Sequence, residues 1–521
     1  RRKRSRGIYA EPTKRLAINE EICEGCGDCV KQANCMSLTP VMTELGQKMR
    51  IHQSSCNKDY SCALGDCPSF VTIELKPGTG LRKKKLPQLP AAEVPPPRGV
   101  VKAGQGYRII GPGIGGTGVV TINALLATAA WIDGLHVATL DQTGSAQKGG
   151  AVVSHLLVSD QPIEAPAKVN AGNADLILGF DLLGISEPKN LATANPGRTV
   201  AILNTDMVPS IDTIRNRSVF AGPGVILDYI NAVTNRGRNI FVDANRLSEG
   251  LFGTHMAVNM FMTGIAFQGG LIPISAEAIE QAIEWNGVEI DKNREWFVWG
   301  RKYYEDAAWV ENQLKREEKP KPEFDRVAEL REYQNDAYAR EYTEFLDKIQ
   351  EPALREVVAK YLYKLMAYKD EYEVARLMTK PEFEQRVRDM WEAPEAISYN
   401  LHPPLLRSFG LNKKLTLGPW FKMPLSVLKR LKGLRGTPLD VFGLAAHRRL
   451  ERSLIGWYRE LIENVQASLT PDNLAQALEV AALPDQIRGY EKIKEQSIES
   501  VKQAAAQKLA ALKTGAPVAS V

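Results

Sequence analysis

The cysteines of this chain are confined to one short segment near its start. All seven lie between Cys23 and Cys67 of a 521-residue sequence, and Cys23, Cys26 and Cys29 are separated by two residues each. A loop with this spacing can present three thiolates to three corners of an iron–sulfur cubane, and a remote cysteine followed by proline supplies the fourth. Cys67, which precedes Pro68, has that position. The set therefore predicts one [4Fe-4S] cluster.

Two other uses of cysteine fit this pattern less well. Structural zinc sites usually take their cysteines as two separated pairs, and a run of three at two-residue gaps is not typical of them. Disulfide frameworks are typical of small secreted domains with an even number of cysteines. This chain is long, its cysteine count is odd, and it shows no signal-peptide pattern. We therefore expect reduced cysteines and a cytoplasmic location.

The remaining cysteines, Cys35, Cys56 and Cys62, have irregular gaps. Ferredoxins with two clusters exchange their fourth ligands between two cysteine runs, so these three residues are the candidates for a second cluster. Because they supply only three thiolates, that cluster would contain three irons or a fourth ligand other than cysteine. The alternative is that they are buried free thiols, or that they stabilise the long insertion between Cys35 and Cys56.

Composition limits the classes of function. A chain of 521 residues should contain two to four domains. Its net charge of +5 is slight for this length and gives no sign of nucleic-acid binding. No apolar run reaches the ~18 residues that a membrane span needs. The basic stretches at 1–6 and 82–85 are typical of solvated linkers. Because the sequence opens on Arg1, we expect it to be a piece of a longer protein.

An α/β unit follows the cysteine segment. The segment 76–103 is rich in proline, glycine and basic residues and is typical of a linker. Beyond it, 111–118 reads as a tight glycine loop and 119–132 as an apolar helix. The strand 70–75 precedes the linker, and the strands predicted beyond it are 107–110, 136–140, 152–158, 175–179, 199–203 and 239–242. Strands that alternate with helices in this way predict a βαβ domain.

The glycine loop satisfies the G-x-G-x-x-G pattern between a strand and a helix, where backbone amides can bind a phosphate. A second polar loop at 142–150 would form a crevice with it, and Asp141 resembles a ribose-binding acid. The alternative is that the glycines only permit close packing. His155 is expected to be a core residue, and Lys148 to bind a phosphate or remain solvated. The candidate cofactor-binding residues are Gly111, Gly113, Gly115, Gly116, Gly118 and Lys148.

From about residue 324 the apolar residues recur at helical spacing. Further helices are expected at 451–468, 473–482 and 490–512. The charged segment 369–373 could be a docking face, although ion pairs within one helix are the more common arrangement.

These segments carry a resemblance to a known family. Cys23–Cys29, Ser55–Asp59 and Cys67–Val71 resemble the ferredoxin segment of long-chain indolepyruvate:ferredoxin oxidoreductases. The loops 111–118 and 144–150 resemble the gamma domain of 2-oxoacid:ferredoxin oxidoreductases. The segment 364–377 and the motif Arg435-Gly436-Thr437 resemble the helical C-terminal region of the fused bacterial members.

The resemblance implies oxidative decarboxylation of an aryl 2-oxoacid to an acyl-coenzyme A, with electrons passed to ferredoxin. It also implies thiamine diphosphate with Mg²⁺, held by domains upstream or on a partner chain, and an oligomeric assembly without nucleic acid or membrane. The sequence contains no G-D-G thiamine motif followed by a distant Asn. We therefore expect this chain alone not to decarboxylate its substrate, and no catalytic residue can be named.

The predicted fold is multidomain. It comprises a small α+β ferredoxin-like iron–sulfur domain at 1–75, a linker at 76–103, an α/β Rossmann-like gamma domain at 104–318 and an all-α C-terminal domain at 319–521. Two other functions explain part of the pattern. One is a flavin- or NAD(P)-dependent oxidoreductase with a ferredoxin module, and the other is a non-catalytic electron-transfer subunit.

Overall fold

The computed structural model describes residues 9–82, 86–144, 150–207, 223–314, 324–401 and 414–514. The first of these ranges contains β1 (Lys14–Ile18), α1 (Asp28–Ala33), β2 (Leu38–Thr43), β3 (Gly46–Ile51) and β4 (Phe70–Leu75). β1 pairs antiparallel with β4, and β2 pairs antiparallel with β3. The insertion between Cys35 and Cys56 is therefore the β2–β3 hairpin.

A six-stranded sheet forms the centre of the next unit. Its strands are β5 (Tyr107–Ile114), β6 (His136–Thr143), β7 (Ala151–Ser159), β8 (Leu176–Gly179), β9 (Val200–Asn204) and β10 (Ile240–Val242). They lie in the order β10-β9-β8-β5-β7-β6. β10, β9, β8 and β5 are parallel, and β7 is antiparallel to both of its neighbours. The loops after the parallel strands therefore meet at one edge of the sheet.

Helices cover both faces of this sheet. They are α2 (Val119–Ile132), α3 (Leu182–Ser186), α4 (Pro188–Leu191), α5 (Pro223–Val233), α6 (Ala244–Phe252), α7 (Val258–Gln268), α8 (Ala276–Asn286), α9 (Ile290–Glu305) and α10 (Ala307–Leu314). Ile109 belongs to one buried core and Ile110 to another. Because successive strand residues point to opposite faces, both faces are buried, as is usual where parallel strands predominate.

This unit contains each strand and the helix predicted for it, with two differences. β5 continues past its predicted end to Ile114, so Gly111 and Gly113 lie in a strand and pair with Ser154 and Val152 of β7. The second difference is that β7 lies between β5 and β6 and is antiparallel to both. The strands β5 and β6, which α2 joins, are therefore not neighbours in this sheet, whereas β8, β9 and β10 lie side by side in chain order.

The remaining chain is helical along most of its length, as predicted. Its helices are α11 (Arg326–Tyr333), α12 (Asp336–Leu346), α13 (Pro352–Met366), α14 (Glu371–Met378), α15 (Pro381–Met390), α16 (Lys422–Leu428), α17 (Ala446–Ala467), α18 (Leu474–Ala482) and α19 (Lys492–Thr514). In the described parts of the chain, no helix combines the length and the apolar character that crossing a membrane requires.

Two strands in this region depart from the all-helical expectation. They are β11 (Pro394–Leu401) and β12 (Leu415–Leu417). β11 pairs antiparallel with β4, and β12 pairs antiparallel with β11. The N-terminal sheet therefore has the order β1-β4-β11-β12. Half of its strands come from the distant helical region.

The same two parts of the chain share a hydrophobic core. Val71, Ile73 and Leu75 of β4 pack in one cluster with Leu377 of α14 and with Trp391. Ile73 and Val71 are fully buried. The apolar face of β4 is therefore covered by helices that begin 300 residues further along the sequence.

We expect Ile73→Ala to destabilise both β4 and the helices that share this core with it. Truncating a fully buried isoleucine costs about 2–5 kcal/mol, because apolar contacts are lost and a cavity remains. Hydrogen exchange should accelerate in β4 and also in α14 and α15. Met42→Ala is the control, because Met42 is 74% exposed on the neighbouring hairpin. Equal protection of α14 in both variants would contradict the shared core.

A buried ion cluster joins α17 to α19. Glu451 accepts hydrogen bonds from Lys494 Nζ at 2.6 Å and from Arg448 Nη1 at 2.5 Å. Burial alone would raise the pKa of Glu451, but Lys494 and Arg448 lower it below its ordinary range. The ionised carboxylate therefore stabilises the folded state, and that contribution is lost as the pH falls from the ordinary carboxyl range towards the folded pKa.

Glu451→Gln should lower the free energy of unfolding by about 3–5 kcal/mol near neutral pH, because it leaves the buried Lys494 without its paired carboxylate and Arg448 with Glu371 alone. The difference from the unsubstituted protein should shrink as both proteins are acidified. Urea unfolding followed by helical circular dichroism at several pH values measures it. Glu479→Gln is the matched control, since Glu479 pairs with Lys508 but its side chain is 62% exposed. A loss of unfolding free energy that does not change with pH would contradict the stabilising role of the Glu451 charge.

Candidate functional site

The cysteines gather around a small apolar core beneath β1, β3 and β4. Cys23 belongs to this core, and Cys29, Cys35, Cys56, Cys62 and Cys67 pack against it. Cys26 lies with Cys67 on the wall of a cavity of about 430 Å³. All seven cysteines are free thiols. The structure thus places the predicted metal ligands around one apolar core.

The cysteines predicted to bind the first cluster, Cys23, Cys26, Cys29 and Cys67, influence one another's pKa values. Burial, and then the nearness of Cys67 and Cys23, raises the pKa of Cys26 to about 12. Burial and the nearness of Cys23 raise the pKa of Cys67 to about 11. The pKa of Cys29 is raised by burial and then by Cys67, Cys23 and Cys26. These four sulfurs are therefore near neighbours.

The other three cysteines form a second group. Burial, and then Cys56 and Cys35, raises the pKa of Cys62 to about 12. Burial also raises the pKa of Cys56, and Cys35 adds to that effect. Thiols with raised pKa values stay protonated until a metal displaces their protons, so metal binding here would release protons.

The sulfur positions fit a multi-iron cluster better than a single ion. Thiolates bound about 2.3 Å from one zinc ion lie within about 4.6 Å of one another. Among the described residues, no three cysteine sulfurs lie within 4.8 Å of one another. An iron–sulfur cubane bonds each thiolate to a separate iron, so its ligands are spread more widely. Cys23, Cys26, Cys29 and Cys67 supply the four thiols, one for each iron, that such a cluster would need.

Local backbone geometry shapes the first cysteine loop. Gly25 and Gly27 have φ values of 64° and 77°, a left-handed conformation that favours glycine. A side chain at Gly25 would place its Cβ 2.0 Å from the carbonyl oxygen of Gln47. The amides of Gly25 and Met49 both donate to Cys23 Sγ at 3.3 Å. Hydrogen bonds to ligand sulfurs are one means of setting a cluster's reduction potential.

Glu24 lies between the first two cysteines of the run and is buried against the helical region. It forms an ion pair with Lys369, in the turn before α14. Burial alone would raise the pKa of Glu24, but Lys369, and then Lys494 and Lys48, lower it well below its ordinary range. The carboxylate is therefore ionised inside the protein.

Arg488 holds the backbone of the same loop. Its Nη1 donates to the carbonyl oxygen of Glu24 at 3.0 Å and to that of Gln47 at 2.9 Å. Its Nη2 pairs with Asp485 at 2.7 Å. The helical region thus places three buried cations around the first cysteine loop, namely Lys369, Arg488 and Lys494.

The charged segment 369–373 is mainly a docking face. The sequence favours ion pairs within one helix, and Glu373 does pair with Arg376 in α14. Its neighbours pair far along the chain instead. The long-range pairs are Lys369 with Glu24, Asp370 with Arg435, and Glu371 with Arg448. Ion pairs within one helix therefore account for only one of the charged residues in this segment, Glu373.

A polar cluster joins the cysteine segment to the six-stranded unit. Ser54 Oγ donates to Glu249 Oε1 at 2.8 Å and lies 3.1 Å from His255 Nδ1. His52 Nε2 forms an ion pair with Glu249. The ligand atoms of His52, Glu249 and His255 lie within 4.8 Å of one another, so these three side chains could hold a divalent ion. No local signal in the sequence indicated this cluster, because Ser54 is 195 positions from Glu249 and 201 positions from His255.

The glycines of the second predicted site have different roles. A Cβ at Gly113 would lie 2.6 Å from Val119 Cγ2, so this glycine allows α2 to approach β5. The amide of Gly115 donates to the carbonyl of Gly150 at 2.7 Å. Gly116 and Gly118 are left-handed, with φ values of 89° and 102°. α2 begins directly afterwards, and the amides of a first helical turn lack partners within the helix and can bind an anion.

Other predicted residues are engaged within the protein. Asp141 accepts hydrogen bonds from Asn123 at 3.0 Å and from Ser154 at 2.5 Å. His155 is buried in β7, and its Nδ1 accepts from the amide of Val169 at 3.3 Å. Burial and then Lys168 lower the pKa of His155, which favours the neutral ring. Lys148 lies outside the described residues.

Two family models match this chain. Residues 108–303 match the family described as pyruvate ferredoxin/flavodoxin oxidoreductase. Residues 324–507 match DUF6537, a family of unknown function. The boundary between the two matches falls between the six-stranded unit and the helical region.

Curated relatives match part of the chain over most of their own length. The indolepyruvate oxidoreductase subunit IorB of Archaeoglobus fulgidus is 29% identical over 175 residues, which are 34% of this chain and 83% of that protein. The subunit IorB of Methanothermobacter thermautotrophicus is 24% identical over 183 residues, or 34% and 87%. The solved structure of pyruvate oxidoreductase subunit PORC from Thermotoga maritima aligns with a TM-score of 0.28 at 21% identity, over 39% of this chain and 96% of that chain. Residues 108–303 are thus similar to the pyruvate ferredoxin/flavodoxin oxidoreductases, and the curated relatives that match the chain are indolepyruvate oxidoreductase subunits.

Proposed function

We propose that this chain is the electron-transfer and gamma portion of an indolepyruvate, or aryl 2-oxoacid, ferredoxin oxidoreductase. The observation that carries this proposal is the convergence of Cys23, Cys26, Cys29 and Cys67 in the same chain as a region that matches subunit IorB. The overall reaction would oxidatively decarboxylate the oxoacid to an acyl-coenzyme A and reduce ferredoxin. Enzyme activity would belong to the assembled complex.

The proposed division of labour follows four segments of the chain. Residues 1–75 would form a ferredoxin-like domain that holds a [4Fe-4S] cluster on the first four cysteines and a second cluster on the other three. Residues 76–103 would be a linker, 104–318 the gamma domain, and 319–521 the helical domain. The two family matches and the separate cores of the gamma and helical parts support these boundaries.

The cofactor of the carbon chemistry would be held elsewhere. Thiamine diphosphate with Mg²⁺ would supply the electron sink for decarboxylation, on upstream domains or a partner chain. Gly115, Gly116, Gly118 and Lys148 would face the phosphates of coenzyme A or the boundary of that active site, because α2 begins there. Gly111 and Gly113 would act through packing. A cytoplasmic, oligomeric assembly fits free thiols and relatives that are named subunits.

The alternative of a flavin- or NAD(P)-dependent enzyme is not favoured. In a dinucleotide site the acid after the second strand lies beside the glycine loop of the first. Here β7 separates β6 from β5, and Asp141 is bonded to Ser154 and Asn123. The non-catalytic alternative also loses support, because the region that matches the pyruvate ferredoxin/flavodoxin oxidoreductase family contains the glycine loop.

The test of the proposed function uses this chain assembled with its thiamine-binding part under anaerobic conditions. We expect reduction of ferredoxin by indolepyruvate that depends on coenzyme A. Cys67→Ala should remove about four irons per chain and abolish ferredoxin reduction, because one cubane loses its fourth thiolate. Met42→Ala is the control, since this side chain of the β2–β3 hairpin is 74% exposed.

Two results would contradict the proposal. The first is ferredoxin reduction that survives Cys67→Ala undiminished. The second is purified protein that contains flavin and no iron.

The helical region would control the charge around the first cluster. A cubane with four thiolates is an anion, and buried cations stabilise added negative charge strongly because the protein interior screens it weakly. Lys369, Arg488 and Lys494 are buried beside the Cys23–Cys26 loop and come from the helical region. The DUF6537 region would thus favour reduction of the first cluster.

Opposite substitutions test this electrostatic role. Lys369→Met should lower the reduction potential of the first cluster, and Glu24→Gln should raise it, each on the order of tens of millivolts. Redox titration followed by electron paramagnetic resonance measures both. Lys348→Met, at an exposed position on the helical region, is the control. Shifts of the same sign in both variants would indicate structural damage and would refute the charge effect.

A further inference from the structure

The second group of cysteines lacks one thiolate for a four-iron cluster, and Asp59 lies where that ligand is missing. In the first loop the spacing is Cys23-x2-Cys26-x2-Cys29. In the second loop Cys56 and Cys62 are separated by the same number of sequence positions as Cys23 and Cys29, and Asp59 is midway between them in the sequence. The spacing is thus Cys-x2-Asp-x2-Cys. Asp59 therefore corresponds to Cys26.

The backbone repeats this correspondence. The residues on either side of Cys26, Gly25 and Gly27, have φ values of 64° and 77°. The residues on either side of Asp59, Lys58 and Tyr60, have φ values of 59° and 62°. Lysine and tyrosine rarely adopt this conformation, which costs about 1 kcal/mol or more per residue. Its presence at both positions shows that the second loop is held in the shape of the first.

The hydrogen bonds and the following elements also repeat. The amide two residues after the first cysteine donates to its sulfur in both loops, from Gly25 to Cys23 at 3.3 Å and from Lys58 to Cys56 at 3.4 Å. Each loop then enters a helical segment, α1 in the first half and the short turn Ser61–Ala63 in the second. The two halves are therefore built on one plan.

The strands show the same approximate twofold relation. The first loop runs from β1 to β2 and the second from β3 to β4. β1 pairs with β4 and β3 with β2, both antiparallel. A twofold operation that exchanges the loops also exchanges Cys35 and Cys67, the cysteines that follow each helical segment. Cys35 therefore completes the second site as Cys67 completes the first.

We infer that Asp59 is the fourth ligand of a second iron–sulfur cluster, together with Cys35, Cys56 and Cys62. An ionised carboxylate carries the same charge as a thiolate, so the ligand exchange leaves the charge of the site unchanged. Oxygen is a harder ligand than sulfur and suits the irons of such a cluster less well than thiolate does. The iron bound to Asp59 is therefore the most readily lost.

The carboxylate of Asp59 also has a structural partner. Its Oδ1 accepts from the Ser61 amide at 3.2 Å and from Ser61 Oγ at 2.8 Å, and its Oδ2 accepts from Asn57 Nδ2 at 3.3 Å. A residue that only capped this turn would be replaced well by asparagine and poorly by cysteine. A cluster ligand would be replaced well by cysteine and poorly by asparagine. The two roles therefore predict opposite rankings.

The test compares the full chain with Asp59→Cys and Asp59→Asn after anaerobic purification, by iron and sulfide content and electron paramagnetic resonance. We expect about eight irons per chain in the unsubstituted protein, and loss of about one iron on mild oxidation with the signal of a three-iron cluster. Asp59→Cys should keep about eight irons and suppress that signal. Asp59→Asn should contain about seven irons or fewer and show the signal without oxidation.

This inference rests on the proposed function only in requiring that the segment binds clusters, and the outcomes separate the two. About four irons per chain, lost in Cys26→Ala and unaffected by either change at Asp59, would overturn the ligand role and leave the first cluster in place. Asp59→Asn that matches the unsubstituted protein, while Asp59→Cys does not, would overturn it too. Absence of iron from every form would overturn both proposals.

Discussion

The arrangement of the cysteine segment depends on one buried ion pair, between Glu24 and Lys369. Moving a carboxylate out of water costs several kcal/mol, and this cost is offset only by close and well-placed cations. Glu24 meets that requirement with Lys369, Lys494 and Lys48, and Arg488 binds its carbonyl oxygen. Because Glu24 lies between Cys23 and Cys26, the cations that hold its side chain also fix the loop that carries these cysteines.

The second attachment of this segment is through its sheet. β11 adds to β4 by backbone hydrogen bonds, and the Trp391 side chain packs in the same core as Ile73. A two-stranded pair with little core of its own would be marginally stable in water. Two additional strands and a helical cover remove that weakness. The cysteine segment and the helical region therefore behave as one structural unit, although the gamma part separates them in sequence.

Local patterns in the sequence predicted local structure well. The spacing of Cys23, Cys26 and Cys29 identified a group that the structure places beside Cys67, and the apolar run at 119–132 gave a helix with the observed bounds. Glycine was less informative. Gly113 fits a phosphate motif, but its observed environment is Val119 and Phe180, because the same absence of a side chain permits both uses.

Long-range pairing could not be predicted from one sequence. The local sequence of 394–401 does not indicate that this strand pairs with β4. The local sequence around Lys369 does not identify Glu24 as its ion-pair partner. The same limit applies to Ser54 and Glu249, which are 195 positions apart. Asp59 is a different case. Its spacing is visible in the sequence, but only the left-handed backbone at Lys58 and Tyr60 shows that the second loop repeats the first.

The contacts of the two cysteine groups also give them an order in space. Ser54, two residues before Cys56, binds Glu249 and contacts His255 of the gamma part. Asn259, one turn beyond His255, donates to the carbonyl of Thr117 in the glycine loop at 3.1 Å. The first group is attached to the helical region instead, through Glu24. The Cys56 group therefore lies on the side of the gamma part that carries the glycine loop, and the Cys23 group lies on the side of the helical region. On the proposed assignment, the buried cations of the helical region then act on the Cys23 group and not on the Cys56 group.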